Sequence, residues 1–369
     1  FDLPGERRKA WRLAQKDAPQ SGPVIGLPAG GHVMEDLPLW HFFFQQLGLP
    51  TVSSEGFQDA VRVGKPLTDA EFCAPMAALQ GHVKHLRRRC DYIFLPIYLE
   101  ERCAERGVRR QYCYYTQYAP VLAGLAASDG GAAILSPLMR YLYSGFHTRV
   151  ELYRTVRSIP GLRCSFREVS QAYEAALGFQ AEGHRRLAAR WEAHLRGRPQ
   201  DIRIVLLGRP YTLFSKALDG GIPDLLRRHG LDACYQDMLP AAAADRREIE
   251  PLLKEIHWRY AARVLAAAQT AARTPGLYPV LATSFKCSPD AFVQDYFKKL
   301  MAAHDKPYLV LELDEHDSDV GYETRIEAAV RAFRNHHQAA AKPAAPQMHA
   351  LNPALVRGHT ERTIVLPNW

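Results

Sequence analysis

No stretch of this 369-residue chain approaches the ~18–20 consecutive apolar residues of a membrane-spanning helix, so no membrane partner is expected. The opening residues, Phe1 to Trp11, lack an apolar core and the layout of a secretion signal. No phosphate-binding loop pattern is present, and no ATP binding on this chain is expected. There is no Cys-x-x-Cys pair, which sets aside the closely spaced ligand runs of ferredoxins and of structural zinc sites. Ala29-Gly30-Gly31 makes a turn but falls short of a dinucleotide fingerprint. No repeat recurs at solenoid spacing. Seven cysteines, an odd number at wide spacings, do not read as a disulfide framework. With no sign of export, the expected setting is cytoplasmic, where such cysteines are buried thiols or metal ligands.

What is present describes a globular chain. Apolar residues make up 47% and charged residues 23%, so a sizeable core is available. The net charge is +8, from 47 basic and 39 acidic residues. The densest basic stretch, Lys84 to Arg89, has no interleaved aromatics and reads as a solvated last helical turn, where cations are favourable. No nucleic-acid partner is expected.

Short apolar runs alternate with helical patterns, which predicts an α/β fold with parallel sheets. Strands are expected at Val24–Leu27, Thr51–Ser53, Tyr92–Pro96 and Ala133–Leu135, then at Ile202–Leu207, Ala233–Tyr235, Tyr278–Ala282 and Tyr308–Leu313. Tyr173, Leu177, His184, Leu187, Trp191 and Leu195 recur at helical spacing and predict one long helix ended by Pro199. On that stripe His184 reads as a packed histidine. A further long helix is expected from about Ile249 to Arg273, and a last one over Tyr322–Phe333. The resulting organisation is a linker or preceding-domain tail at 1–22, a first lobe at 23–165 and a connecting helix at 166–200. A second lobe follows at 201–335, then a linker and terminal strand at 336–369.

Two cysteines share a pattern. Phe72-Cys73-Ala74-Pro75 and Lys286-Cys287-Ser288-Pro289 are both Cys-x-Pro ahead of a helical run. Proline suits the first helical turn, so each sulfur is expected at a helix N-terminus. There the dipole favours negative charge, which lowers a thiol pKa and suits an anionic metal–sulfur centre. Cys113, in Gln111-Tyr112-Cys113-Tyr114-Tyr115-Thr116, is expected in aromatic surroundings that shield such a centre from water. Three thiolates from separate segments can hold a cluster with one corner left open. From spacing alone, buried inert thiols remain the competing reading. Cys90, Cys164 and Cys234 read as small core residues, and Cys103 as a reserve ligand.

Several segments resemble the activase-related branch of the 2-hydroxyacyl-CoA dehydratase and benzoyl-CoA reductase superfamily. Leu281 through Phe292 resembles its strand leading to Gly-Cys-Gly-Pro-Asp-Ser-Phe, with Lys286 and Ser288 where that pattern has glycines. Lys306-Pro307-Tyr308 and Leu311 to His316 resemble its Lys-Pro and Leu-Glu-x-Asp-Glu-His segments. Gly208-Arg209-Pro210-Tyr211 with Gly221-Ile222-Pro223, Pro38-Leu39-Trp40, Glu71-Phe72-Cys73 with Gly81-His82, and Asp91 to Pro96 match in order. The resemblance implies two Rossmann-like lobes with an iron–sulfur centre in the cleft between them. It carries cluster ligation onto Cys73, Cys113 and Cys287, as a 4Fe-4S cluster or a double-cubane cluster built from two such units. It also implies an ATP-hydrolysing activator of the actin-like kinase class, in trans or fused, and a homodimer or a related subunit. The implied role is a component of an ATP-dependent low-potential electron-transfer system of the reductase or dehydratase type. The alternative is a docking or electron-relay module of a larger activase.

Glu315 and His316 end the last expected strand on the presumed cleft side and are candidates for proton transfer, against a plain hydrogen-bonded loop. Arg209 and Tyr211 follow a buried strand and read either as phosphate or activator contacts or as a turn. Phe1 is not a start residue, and Thr363 to Pro367 reads as a strand after an Ala/Pro-rich linker. Both ends suggest a segment of a longer polypeptide, the alternative being a tail that folds back as an edge strand.

Overall fold

A computed structural model describes residues 1–11, 22–68, 72–101, 103, 108–125, 130–140, 144–197, 202–239, 247–313 and 319–340. The first half contains helix α1 (Leu3–Ala10), strand β1 (Ile25–Leu27), α2 (Val33–Gln46), β2 (Thr51–Ser53), α3 (Ala60–Gly64) and α4 (Ala74–Leu86). It continues through β3 (Tyr92–Phe94), β4 (Ile97–Tyr98), α5 (Tyr114–Gln117), α6 (Ala119–Leu125), β5 (Ala133–Leu135), β6 (Leu138–Arg140) and α7 (Gly145–Arg157). A long helix α8 (Phe166–Gly197) follows. The second half contains β7 (Arg203–Gly208), α9 (Pro210–Phe214), α10 (Ile222–Arg228), β8 (Asp232–Tyr235), α11 (Glu250–Glu255) and α12 (Arg259–Arg273). It ends with β9 (Leu277–Ser284), α13 (Ser288–Ala303), β10 (Leu309–Leu313) and α14 (Asp319–Ala340).

The strands form two four-stranded sheets, ordered β2-β1-β3-β5 and β10-β9-β7-β8, with every pairing parallel. This is the expected α/β architecture. β7 and β9 are the central strands of the second sheet and are apolar nearly throughout, as strands covered on both faces must be. The two-stranded pair β4–β6 was not legible beforehand. It continues the β3–β5 ladder beyond Pro96 and Pro137, each of which removes a backbone donor and interrupts the pairing.

The core divides into two clusters, one under each sheet. Helix α8, 32 residues and about 48 Å long, serves both. Val169, Ala172 and Ala176 enter the first cluster, and Leu187 and Trp191 the second. Residues 1–11, part of the stretch expected as a linker or preceding-domain tail, hold a packed helix. Leu3, Ala10 and Trp11 are buried in the second cluster, and Arg7 pairs with Asp237 at 2.7 Å while lying over the Phe214 ring. His184 packs edge-on against Trp11, as a packed histidine should.

Two further expectations change. The helix expected over 249–273 is broken at Ile256–Trp258, because that segment pairs with the other lobe. Gln111 N–H donates to the His257 carbonyl at 2.7 Å, and Arg259 N–H donates to the Gln111 carbonyl at 2.9 Å. The last helix runs to Ala340, past Phe333, because Phe333 stacks on Tyr278 and His336 bonds to the same phenol at 2.8 Å. In the basic stretch, Arg87 is buried rather than solvated, and its guanidinium donates to the Gly130 carbonyl at 2.7 and 3.1 Å. Among the described residues, no helix is long and apolar enough to cross a membrane.

Candidate functional site

Each of the three singled-out cysteines is a helix N-cap with extended backbone. Cys73 caps α4, Cys113 caps α5 and Cys287 caps α13. Pro75 and Pro289 lie in the first turn, where a missing N–H costs nothing. Cys113 Sγ lies 3.2 Å from Thr116 Oγ1 in the first turn of α5, and the N–H groups of Met76 and Asp290 favour the thiolate forms of Cys73 and Cys287. All seven cysteines are free thiols. Cys73, Cys234 and Cys287 are buried, and Cys90, Cys103, Cys113 and Cys164 are half-buried.

Position in the sheets explains why the three meet. Cys287 directly follows β9 and so lies beyond the carboxyl end of a parallel strand, while Cys73 opens α4, the helix that leads from α3 back to β3. Arg209 follows β7, the neighbour of β9, and the order of the second sheet reverses between these two strands. Such a reversal opens a crevice at the strand ends. Cys113 comes from the loop that pairs with Trp258 across the lobes. Cys73 lies within electrostatic reach of Cys113, Arg209 and Asp290, and Cys287 within reach of Arg209, Asp290 and Cys73. All three sulfurs thus lie within electrostatic reach of one arginine.

The electrostatics correct one expectation. Burial pushes the Cys73 thiol up to about 11, with Cys113 and Asp290 raising it further against the lowering influence of the Met76 N–H and Arg209. The Cys287 thiol is raised as well, again chiefly by burial. Desolvation therefore outweighs the helix-end dipole, and these two thiols are held protonated. Burial alone would lower the Arg209 pKa, but Asp290, Tyr211, Cys287 and Cys113 outweigh it and keep the guanidinium charged. Arg209 Nε donates to Asp290 Oδ1 at 2.6 Å, and Nη1 donates to the Tyr211 hydroxyl at 2.7 Å.

The aromatic shield is only partly present. Tyr112 is turned inward and continues a buried row with Tyr98, Tyr260 and Tyr211, at successive ring separations of 5.4, 5.6 and 6.0 Å. Tyr114 and Tyr115 on α5 and Tyr118 at its end are exposed, as are Phe285 and Phe292, on either side of Cys287 in the sequence. Lys286 adopts φ +62°, the left-handed conformation in which glycine has no Cβ penalty.

Sequence reasoning assigned no role to Asp290, Tyr260 or Glu35. Glu35 is buried on α2 and receives Arg259 Nη1 at 2.8 Å, the Tyr260 hydroxyl at 3.2 Å and Arg263 from α12. The only prior signal was Asp290 in the first turn of a helix opened by Cys-x-Pro. Glu315 and His316, together with Glu71 and the strand expected over 363–367, lie outside the described residues.

Residues 24–239, more than half of the chain, match the family model described as CoA enzyme activase uncharacterised domain (DUF2229). The chain belongs to this activase-related family. No curated protein matches it. The matched region of the activase-family chain includes Cys73, Cys113, Arg209 and Tyr211, while Cys287 and Asp290 lie beyond it. Among the described residues, no three His, Cys, Asp or Glu side chains are grouped to hold a metal ion. A cubane offers its irons at separate corners, so its thiolates need not converge on a single ion.

Proposed function

We propose that this activase-family chain carries an iron–sulfur cluster, one cubane or two, on Cys73, Cys113 and Cys287. It would serve an ATP-dependent low-potential electron-transfer system of the reductase or 2-hydroxyacyl-CoA dehydratase type. The supporting observation is that three N-capping thiols, two from the first lobe and one from the second, lie within electrostatic reach of buried Arg209. A bound cluster there supplies single electrons to a substrate that resists ordinary reductants. The protein's part is to exclude water through burial of Cys73 and Cys287, to hold those sulfurs on rigid helix starts, and to oppose their negative charge with Arg209. Because metal ligation requires thiolates, loading releases the protons that Cys73 and Cys287 retain in its absence. With no phosphate-binding loop in the sequence, the reading assigns ATP hydrolysis to an activator of the actin-like kinase class, separate or fused. The expected assembly is a homodimer or a pairing with a dehydratase-type subunit.

Protein reconstituted without oxygen is expected to hold iron and sulfide and to show the broad visible absorption of thiolate-bound clusters. Cys73→Ala, Cys113→Ala and Cys287→Ala each lose most of the iron, whereas Cys90→Ala and Cys234→Ala keep it. Colourless, iron-free parent protein refutes the reading.

A further inference from the structure

Arg209 occupies the reversal point of the second sheet, at the carboxyl end of β7 and beside the end of β9. Its side chain is only 3% exposed. Burying a charge in this way is expensive, so its partners matter. Asp290 offsets the charge and ties Arg209 to α13, the helix that Cys287 caps. Tyr211 takes a second donor and meets Tyr260 of α12 edge-on. A guanidinium has five N–H donors in a fixed fork. Among the described residues, Asp290 and Tyr211 are its hydrogen-bond partners and engage one donor each. A buried arginine with donors to spare, in the crevice where open α/β sheets bind ligands, is arranged to meet further negative charge.

We propose that Arg209 is the charge-balancing and positioning residue of the three-cysteine centre, opposing the negative charge of a cluster while its bond to Asp290 fixes the helix that presents Cys287. The inference rests on the cluster reading above. Its consequence is a pair of effects of opposite sign. Removing the arginine charge leaves Asp290 to oppose electron uptake, so Arg209→Gln lowers the reduction potential. Removing the carboxylate frees the arginine to favour electron uptake, so Asp290→Asn raises it. An ion pair remote from the centre would leave the potential unchanged in both variants.

The test is anaerobic reconstitution of the full chain, with iron content and a redox titration followed by visible absorption. Parent protein, Arg209→Gln, Arg209→Lys and Asp290→Asn are compared, and circular dichroism confirms folding. Each charge-changing variant is expected to shift the one-electron equilibrium by about tenfold, ~59 mV, in its own direction, with Arg209→Lys near the parent. Potentials within error of the parent in folded, iron-loaded Arg209→Gln and Asp290→Asn overturn the proposal. If Arg209→Gln does not fold, the sign of the Asp290→Asn shift decides. Parent protein that binds no iron fails the cluster reading itself, a result distinct from equal potentials in loaded variants.

Discussion

His82, on α4, is buried, and among the described residues neither ring nitrogen has a hydrogen-bond partner. Burial lowers its pKa from 6.5 to about 4, with His85 lowering it further. Between those values the unfolded chain binds more protons than the folded one. Stability is therefore full above pH 6.5 and falls as pH drops towards 4, by up to roughly 3 kcal/mol from this residue. His82→Gln removes the titration, so the difference in urea midpoint between pH 7 and pH 4.5 is expected to shrink. An unchanged difference would show that His82 is not held neutral. At the same scale, Lys286 illustrates how sequence and structure inform each other. That it stands where the pattern this stretch resembles has glycine was visible at once, but its left-handed backbone was not. The conformation costs a side-chain-bearing residue about 1–2 kcal/mol, and the lysine is tolerated because the turn between β9 and α13 must be that tight to place Cys287.

At the scale of elements, α3 and α4 cross with almost no space between their backbones. A Cβ at Gly81 would lie 1.9 Å from the Ala60 carbonyl oxygen, and one at Gly64 would lie 1.7 Å from that of Ala77. Gly81→Ala must push the helices apart, at about 1–3 kcal/mol, the usual range for overpacking. Because α4 begins at Cys73, iron loading should fall along with the thermal midpoint. Gly178→Ala is the control. It lies on an exposed turn of α8 with open space around it and should stabilise by about 0.5–1 kcal/mol. Equal midpoints for the two variants would remove the helix contact as a determinant. The elements most legible in the sequence were those set by local pattern. Apolar runs gave β7 and β9, Cys-x-Pro gave the starts of α4 and α13, and a helical stripe gave α8. The break before α12 was illegible because its cause is Gln111, far away in the chain. For the same reason the cysteines could be nominated from their local motifs, and Arg209 as a phosphate or activator contact or a turn, while its electrostatic link to the cysteines emerged only when the two sheets were set together.

At the scale of the whole molecule, the lobes are joined by more than α8. Glu35 of the first lobe is held by Arg259, Tyr260 and Arg263 of the second, and Arg259 also reaches Glu101. Removing one member of a buried ionic group leaves the others uncompensated. Glu35→Ala is expected to cost about 3 kcal/mol. Since the loss falls on the contact between lobes, urea unfolding followed by tryptophan fluorescence should separate into two transitions where the parent shows one. A single transition with an unchanged midpoint would show that the clamp contributes nothing to coupling. Cys73 and Cys113 belong to one side of this contact and Cys287 to the other, so the three sulfurs are neighbours only while the lobes stay closed.

The packing of α1 against the second lobe also sets a clock on synthesis. Arg7 and its partner Asp237 are 230 residues apart. At about 5–20 residues per second, on the order of ten seconds or more pass between their appearance from the ribosome. During that interval Leu3, Ala10 and Trp11 have no second-lobe surface to cover them, although the strands of the first sheet are already available to pair. Helix α1 is therefore made well before it can find its place, and its apolar face is open to whatever binds nascent chains until β8 and the end of α8 have been translated.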